Sequence, residues 1–189
     1  MVCSDYSYTL TSDELLARVR QQRAMEPVEE GFTRIDSTGA LDRMRGRLRA
    51  LYMQALATLD PAMLPLTELA AEAMLTNDPP SADGTPAGAT LHLPARCMQP
   101  VEVRLTGWHV NALLTDAGSA AAAAQRSPFS RAGCCAPVAV RSHGGTMRLY
   151  PATAATQPES LLCVAAPASD DIYLLTPQLE QYLTDHYDI

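Results

Sequence analysis

Apolar residues recur along this chain with two different periods. Leu41, Met44, Leu48, Leu51, Tyr52, Ala55, Leu56 and Leu59 fall three and four apart, which lines one face of an α-helix. The spacing predicts one long helix over about 37–59, capped by Asp36 or Ser37, as the central packing element of the first half. Upstream, Thr11-Ser12-Asp13-Glu14 has the form of a capping box. It predicts a helix carrying Leu15, Leu16, Val19 and Met25, ended by Pro27. Residues 26–36 form an acidic linker whose Phe32 and Ile35 are expected on the core. Asp60-Pro61 marks a restart with Asp60 as cap and Pro61 as first helical residue. Pro65 then kinks or restarts a helix carrying Leu66, Leu69, Ala70, Ala73 and Met74.

The period shortens to two after residue 88. Val101-Glu102-Val103-Arg104-Leu105 alternates strictly, as a strand with one buried face does. Strands are predicted at about 90–93, 101–108, 137–142, 146–150 and 161–166. His143-Gly144-Gly145 is the turn of a hairpin, and the alanine-rich run 118–126 suits a short helix. Thr176-Pro177 caps and opens a last helix with Leu179, Tyr182 and Leu183 on one face. The Pro-, Gly- and Asp-rich stretch 77–88 is a loop. The expected fold class is α+β: an N-terminal helical bundle, a small antiparallel β-sheet region and a C-terminal helix. The expected division is 1–76 helical bundle, 77–89 loop, 90–168 strand-rich region and 169–189 C-terminal docking segment. No repeat of solenoid length is visible.

Composition narrows the function. The 189 residues suffice for one substantial core with a small subdomain beside it. Aromatic residues are 5% of the chain, too few for a stacking platform for bases. All 14 basic residues are arginine, which fits the codon usage of a GC-rich genome more simply than a demand for bidentate donors. Net charge is −7, and no basic residue follows Arg148. Such a chain does not hold DNA through its general field, although it suits a wall past which DNA slides. Five cysteines, Cys3, Cys97, Cys134, Cys135 and Cys163, show no Cys-x-x-Cys spacing. Reduced thiols in a cytoplasmic setting are expected. The first residues are polar, which argues against a signal peptide, and no apolar run reaches membrane-span length.

Chemistry-bearing motifs are absent from the pattern. His92, His109, His143 and His186 lie in different predicted elements, without metal spacing. Ser12, Ser37 and Ser160 lack a nucleophile elbow, and no phosphate-cradling glycine loop occurs. Cys134-Cys135 has only Arg131 nearby to favour a thiolate. No catalytic, cofactor-binding or metal-ligating residue is therefore assigned. Arg43, Arg45, Arg47 and Arg49 fan around a broad arc of the long helix. They are either a solvated, partly paired face or a contact for an acidic neighbouring subunit or passing DNA.

One stretch has a family-like order. Leu91-His92-Leu93-Pro94 with Arg96 is followed by a strand ending in Gly107-Trp108. Next come the turn Gln125-Arg126-Ser127-Pro128-Phe129 and Arg131-Ala132-Gly133. Ala136-Pro137-Val138-Ala139-Val140 and Met147-Arg148-Leu149-Tyr150-Pro151 close the series. Over residues 10–151 this resembles the phage head–tail adaptor proteins, the connector subunits beneath the portal of tailed phages, especially the podovirus and gut-phage type. It departs from them where Ala95, Cys97 and Met98 replace the usual Asp, Phe and Leu. The resemblance implies no catalytic residue. It implies a virion protein of the head–tail junction, assembled in the host cytoplasm as a twelve-fold homo-oligomeric ring. That ring would contact the portal and the tail or further ring proteins and pass DNA without reading its sequence. It also implies that the segment bearing Leu179, Tyr182 and Leu183 docks on a neighbouring ring, since a short isolated helix needs a groove. Packing back onto its own domain is the alternative. Rival readings are a small-molecule or peptide-binding module with Trp108 and Tyr150 in a pocket, and an enzyme whose site forms only in three dimensions.

Overall fold

The structure, a computed structural model, describes residues 7–22, 37–78, 88–127, 129–153 and 155–187. The first elements are β1 (Tyr8–Thr11), α1 (Ser12–Gln22), α2 (Ser37–Thr58), β2 (Leu66–Glu68) and β3 (Met74–Asn77). Next come β4 (Ala89–His92), β5 (Cys97–Leu105), β6 (Leu113–Asp116) and α3 (Ala120–Ala124). Last are β7 (Val138–Ser142), β8 (Thr146–Tyr150), β9 (Pro158–Ala165), β10 (Ile172–Leu175) and α4 (Pro177–His186). The chain divides into two compact units, one made of residues 1–66 with 165–189 and the other of 67–164.

The first unit is built from both ends of the chain. β1 pairs antiparallel with β10, Tyr8 opposite Leu175 and Thr11 opposite Ile172. The capping box forms as its sequence predicts: Thr11 N–H donates to Glu14 Oε2 at 2.9 Å and Glu14 N–H to Thr11 Oγ1 at 3.3 Å. Leu15, Leu16 and Val19 of α1 are buried, as are Leu48, Tyr52, Ala55 and Leu56 of α2. Tyr52 packs edge-on against Tyr173 with ring centroids 4.9 Å apart, and its hydroxyl donates to Leu174 O at 2.8 Å. Thr176 Oγ1 accepts from Leu179 N–H at 3.2 Å, capping α4 with Pro177 in its first turn.

The second unit holds a five-stranded sheet in the order β3-β4-β8-β7-β6, with a three-stranded sheet β2-β9-β5. Alternation decides its faces. Ala89 and Leu91 of β4 and Met147 and Leu149 of β8 are buried, and Leu91 lies opposite Met147. The β7–β8 hairpin turns on Gly144 and Gly145, both at positive φ (77° and 71°), a conformation that glycine adopts freely. Gly88 serves by its smallness: a Cβ there would lie 2.7 Å from the Tyr150 ring.

No N-terminal helical bundle forms among the described residues, where the helices are few and the segment after α2 is extended. Residues 66–76, predicted helical, form β2, a 3₁₀ turn (Ala70–Glu72) and β3. Pro65 removes a helical N–H, and the backbone takes long-range partners instead: Leu69 N–H donates to Leu161 O at 2.9 Å. Glu68 also reaches across, accepting from Leu161 N–H at 2.8 Å and Ser160 Oγ at 2.7 Å. Asp60 does cap Pro61, but the result is a three-residue 3₁₀ turn. The sheet is mixed and not purely antiparallel, because β6 runs parallel to β7. The long helix, three of the five expected strands, the hairpin, the alanine-rich helix and the last helix form close to their expected bounds, whereas the strand expected at 101–108 runs over Cys97–Leu105 and that expected at 161–166 over Pro158–Ala165. The linker 26–36, with Phe32 and Ile35, and the helix end at Met25 and Pro27 lie outside the described residues, as does Cys3.

The central place of α2 is testable. Leu48 is fully buried, so Leu48→Ala should cost about 2–5 kcal/mol, and Leu48→Asp more, because it buries an unpaired charge. Thermal melting of the two variants checks both the sign and the order.

Candidate functional site

The family-like stretch supplies the core of the second unit. Trp108 follows Gly107, which has φ 86°, and its N–H closes a turn onto Leu105 O at 3.0 Å. The indole is buried, and its Nε1–H donates to Pro151 O at 2.9 Å. Trp108 is therefore a buried residue whose indole N–H is satisfied within the second unit. Arg148 pairs with Asp78 at 2.6 Å and lies over the Tyr150 ring, 5.9 Å from its centroid. Arg96 pairs with Glu72, and Arg104 with Glu159 at 2.8 Å.

One residue of the stretch behaves differently. Phe129 is 99% exposed, yet the loop that carries it is pinned. The buried Gln125 donates to Ala121 O at 2.9 Å and accepts from Ala132 N–H at 2.9 Å. Ser130 Oγ donates to Ala124 O at 2.8 Å, and Arg131 Nε to Gln125 O at 3.0 Å. The return of this loop runs beside residues 109–113, because His109 N–H donates to Cys134 O and Leu113 N–H to Pro137 O. Val110 (47%), just before β6, and Leu113 (59%), on it, are exposed as well. At the other margin of the same sheet, on β3, Met74 is 63% exposed. The exposure of these side chains is not written in local periodicity.

The arginine arc divides into pairs. Arg45 Nη2 is 2.7 Å from Asp13 Oδ1, with Asp42 3.4 Å from Nη1, and Arg49 is ion-paired with Asp170. Both are internal ties of the first unit, exposed enough to contribute little. Arg43 and Arg47, four residues apart on α2, are exposed and make no ion pair among the described residues. They form the cationic face of this helix.

The C-terminal helix takes the other of its two expected courses. Leu179 and Leu183 are fully buried in the core of the first unit, where α4 packs on α1 and α2. Tyr182 is half-buried and stacks on His186 at 4.1 Å. Beside the buried leucines lies a buried charge, Glu180, 8% exposed. It accepts a short hydrogen bond from the Tyr8 hydroxyl and another from Arg18 Nη1 at 3.4 Å, and Arg18 lies over the Tyr8 ring. Burial, the hydrogen bond to Glu180 and the charge of Glu180 together push the Tyr8 phenol up to about 12.

Chemistry remains sparse. His109, His143 and His186 are exposed, and His92 is half-buried. No group of three His, Cys, Asp or Glu side chains could hold a metal among the described residues. A cleft of about 330 Å³ is lined by Asp116, Ala117, Gly118, Arg141, Ser142 and His143, where β6 and β7 end. Cys134 and Cys135 are exposed, whereas Cys97 and Cys163 face one another with sulfurs 2.8 Å apart. Comparison with protein-family models, with curated proteins and with solved structures found no match to this chain.

Two outcomes follow from the first unit. A chain ending at Ala168 removes β10 and α4, and with them the buried Tyr173, Leu175, Leu179 and Leu183. It should lose the cooperative unfolding of the first unit, as seen by calorimetry or hydrogen exchange of α2; a normally folded first unit would refute this placement. Tyr8 gives a pH signature. Its phenol is raised above its unfolded value of 10.0, so its contribution to stability is whole below about pH 10 and fades as pH rises through about 12. Between those values the wild type should lose more stability than Tyr8→Phe in denaturant titrations. Equal losses would place the shift elsewhere.

Proposed function

We propose that this chain is the subunit of a head-to-tail adaptor ring, joining portal to tail in a tailed-phage virion and continuing its DNA channel. The reading rests on the strand-rich stretch and not on the N-terminal half, whose described residues do not form the expected bundle. The observation that carries it is the five-stranded sheet with an apolar side chain exposed on each outermost strand, Met74 on β3 and Leu113 on β6, together with the exposed loop residues Val110 and Phe129. Rings repeat one heterologous contact, which requires two different patches on every copy. Two unlike apolar margins on one sheet meet that requirement, and a pinned, fully exposed phenylalanine is suited to anchor such a contact.

Charge supports the rest of the reading. A net charge of −7 favours passage of DNA without retention, and Arg43 and Arg47 offer a cationic contact for an acidic neighbouring protein. No helix among the described residues is long and apolar enough to cross a membrane. The portal and tail proteins are the expected partners, with twelve copies as the adaptor resemblance implies.

Assembly is the decisive measurement. The purified chain, alone and with a candidate portal protein from the same genome, should form a ring visible by native mass spectrometry and negative-stain microscopy. Leu113→Lys and Phe129→Asp change exposed side chains, so each should leave the melting temperature within a few degrees and abolish the ring. A wild-type chain that stays monomeric in both settings would sink the proposal, as would rings that survive both substitutions.

A further inference from the structure

The cysteines are the one chemically reactive set that the adaptor reading leaves unused, and two of them are placed as partners. Cys97 opens β5 and Cys163 lies in β9, the neighbouring strand of the three-stranded sheet. The two sulfurs are 2.8 Å apart, less than an ångström beyond the ~2.05 Å of a covalent bond. The pair is also asymmetric: Cys163 is fully buried, and Cys97 is half-exposed.

We propose that Cys97 and Cys163 form a dithiol that closes to an intrachain disulfide when the folded protein meets a low-molecular-weight disulfide oxidant. Cys97 is the accessible partner, and its thiol is held below its ordinary value by the hydrogen bond from Cys163 and, against the effect of burial, by the Arg141 charge. The buried Cys163 thiol is pushed up by its hydrogen bond to Cys97, by burial and by the neighbouring charges of Cys97 and Glu68, with Arg96 opposing. It is thus the proton-holding, resolving member. In the first step the Cys97 thiolate attacks one sulfur of the oxidant. A mixed disulfide forms, the oxidant's S–S bond breaks, and its other half leaves as a thiolate. Cys163 then gives up its proton to that leaving thiolate and attacks the Cys97 sulfur. The Cys97–Cys163 bond forms and the second half of the oxidant departs, taking its proton from solvent. Two electrons pass from the protein dithiol to the oxidant, which ends as two thiols. The product ties together residues 66 apart in the sequence and staples β5 to β9, a closure that restricts the unfolded chain. In a reducing cytoplasm the pair stays open, so the cross-link is added after folding.

The test uses the full chain, incubated folded with oxidised glutathione or with dithiothreitol, then denatured, alkylated and peptide-mapped. Oxidised samples should contain the Cys97 and Cys163 peptides joined, about 2 Da lighter than the two free peptides together, and should melt several degrees higher. Reduced samples should carry alkylating label on both. The double variant Cys134→Ser/Cys135→Ser should form the same link. Cys163→Ser should halt at the mixed disulfide, with glutathione retained on Cys97. Should that buried substitution unfold the chain, Cys97→Ser at the half-exposed position should leave Cys163 free to be alkylated. Alkylation of both Cys97 and Cys163 after oxidation of the folded wild type, or joining of Cys97 to a different cysteine, overturns the proposal.

Discussion

The core of the first unit closes only when the C-terminal residues return to it. α1 and α2 together present more apolar surface than they can bury on each other, and Tyr173, Leu175, Leu179, Leu183 and Tyr187 complete the cover. Three kinds of contact fix the return. The β1–β10 ladder sets its register, and Tyr52 joins α2 to β10 through ring packing and a hydroxyl bond to Leu174 O. Tyr187 then closes the end of α4 with a hydroxyl bond to Met44 O at 3.1 Å. Separating the two ends of the chain would leave a 22-residue helix with an uncovered stripe, and a stripe of that size does not remain in water. The apolar face of α4, expected to seek a partner, is thereby occupied within its own unit.

Glu180 belongs to the same constraint. An ionised carboxylate on the inner face of α4 is tolerable because Tyr8 and Arg18 meet it there. Removing either donor leaves the carboxylate half-satisfied in a low-dielectric setting. Its partners come from residues more than 160 positions away in sequence (separations of 172 and 162), so the cluster reports the same return of the C-terminus as the β1–β10 ladder.

The second unit follows a different logic. Its sheet hides one face well, through Leu91, Ala139, Met147 and Leu149, and leaves Met74 on β3 and Leu113 on β6, its two outermost strands, exposed. Monomeric proteins usually blunt such edges with charge or proline. Here Met74 and Leu113 stand where those devices would be expected, and the loop carrying the exposed Phe129 is braced by Gln125, Ser130 and Arg131. A braced apolar side chain in solvent has no stabilising role in the monomer, and it has one where another surface covers it. The assembly reading therefore rests on the edges of the sheet and not on any single reactive group.

Sequence alone determined the features that short range fixes. The Thr11–Glu14 box, the stripe of α2, the Thr176-Pro177 cap and the Gly144-Gly145 hairpin each arise from residues within a few positions of one another, so periodicity and capping chemistry specify them. Tertiary structure decided what depends on partners far along the chain. Residues 66–76 carry a helical-looking pattern but extend because Leu161 and Ser160 offer them hydrogen bonds. β1 and β10 are four residues each, too short to declare themselves, and exist through one another. Trp108 became core, Phe129 became surface, and Cys97 met Cys163, each by the path of the chain and not by its local composition. Local rules fix which backbone states are cheap; the long-range pairing of buried apolar and polar groups selects among them.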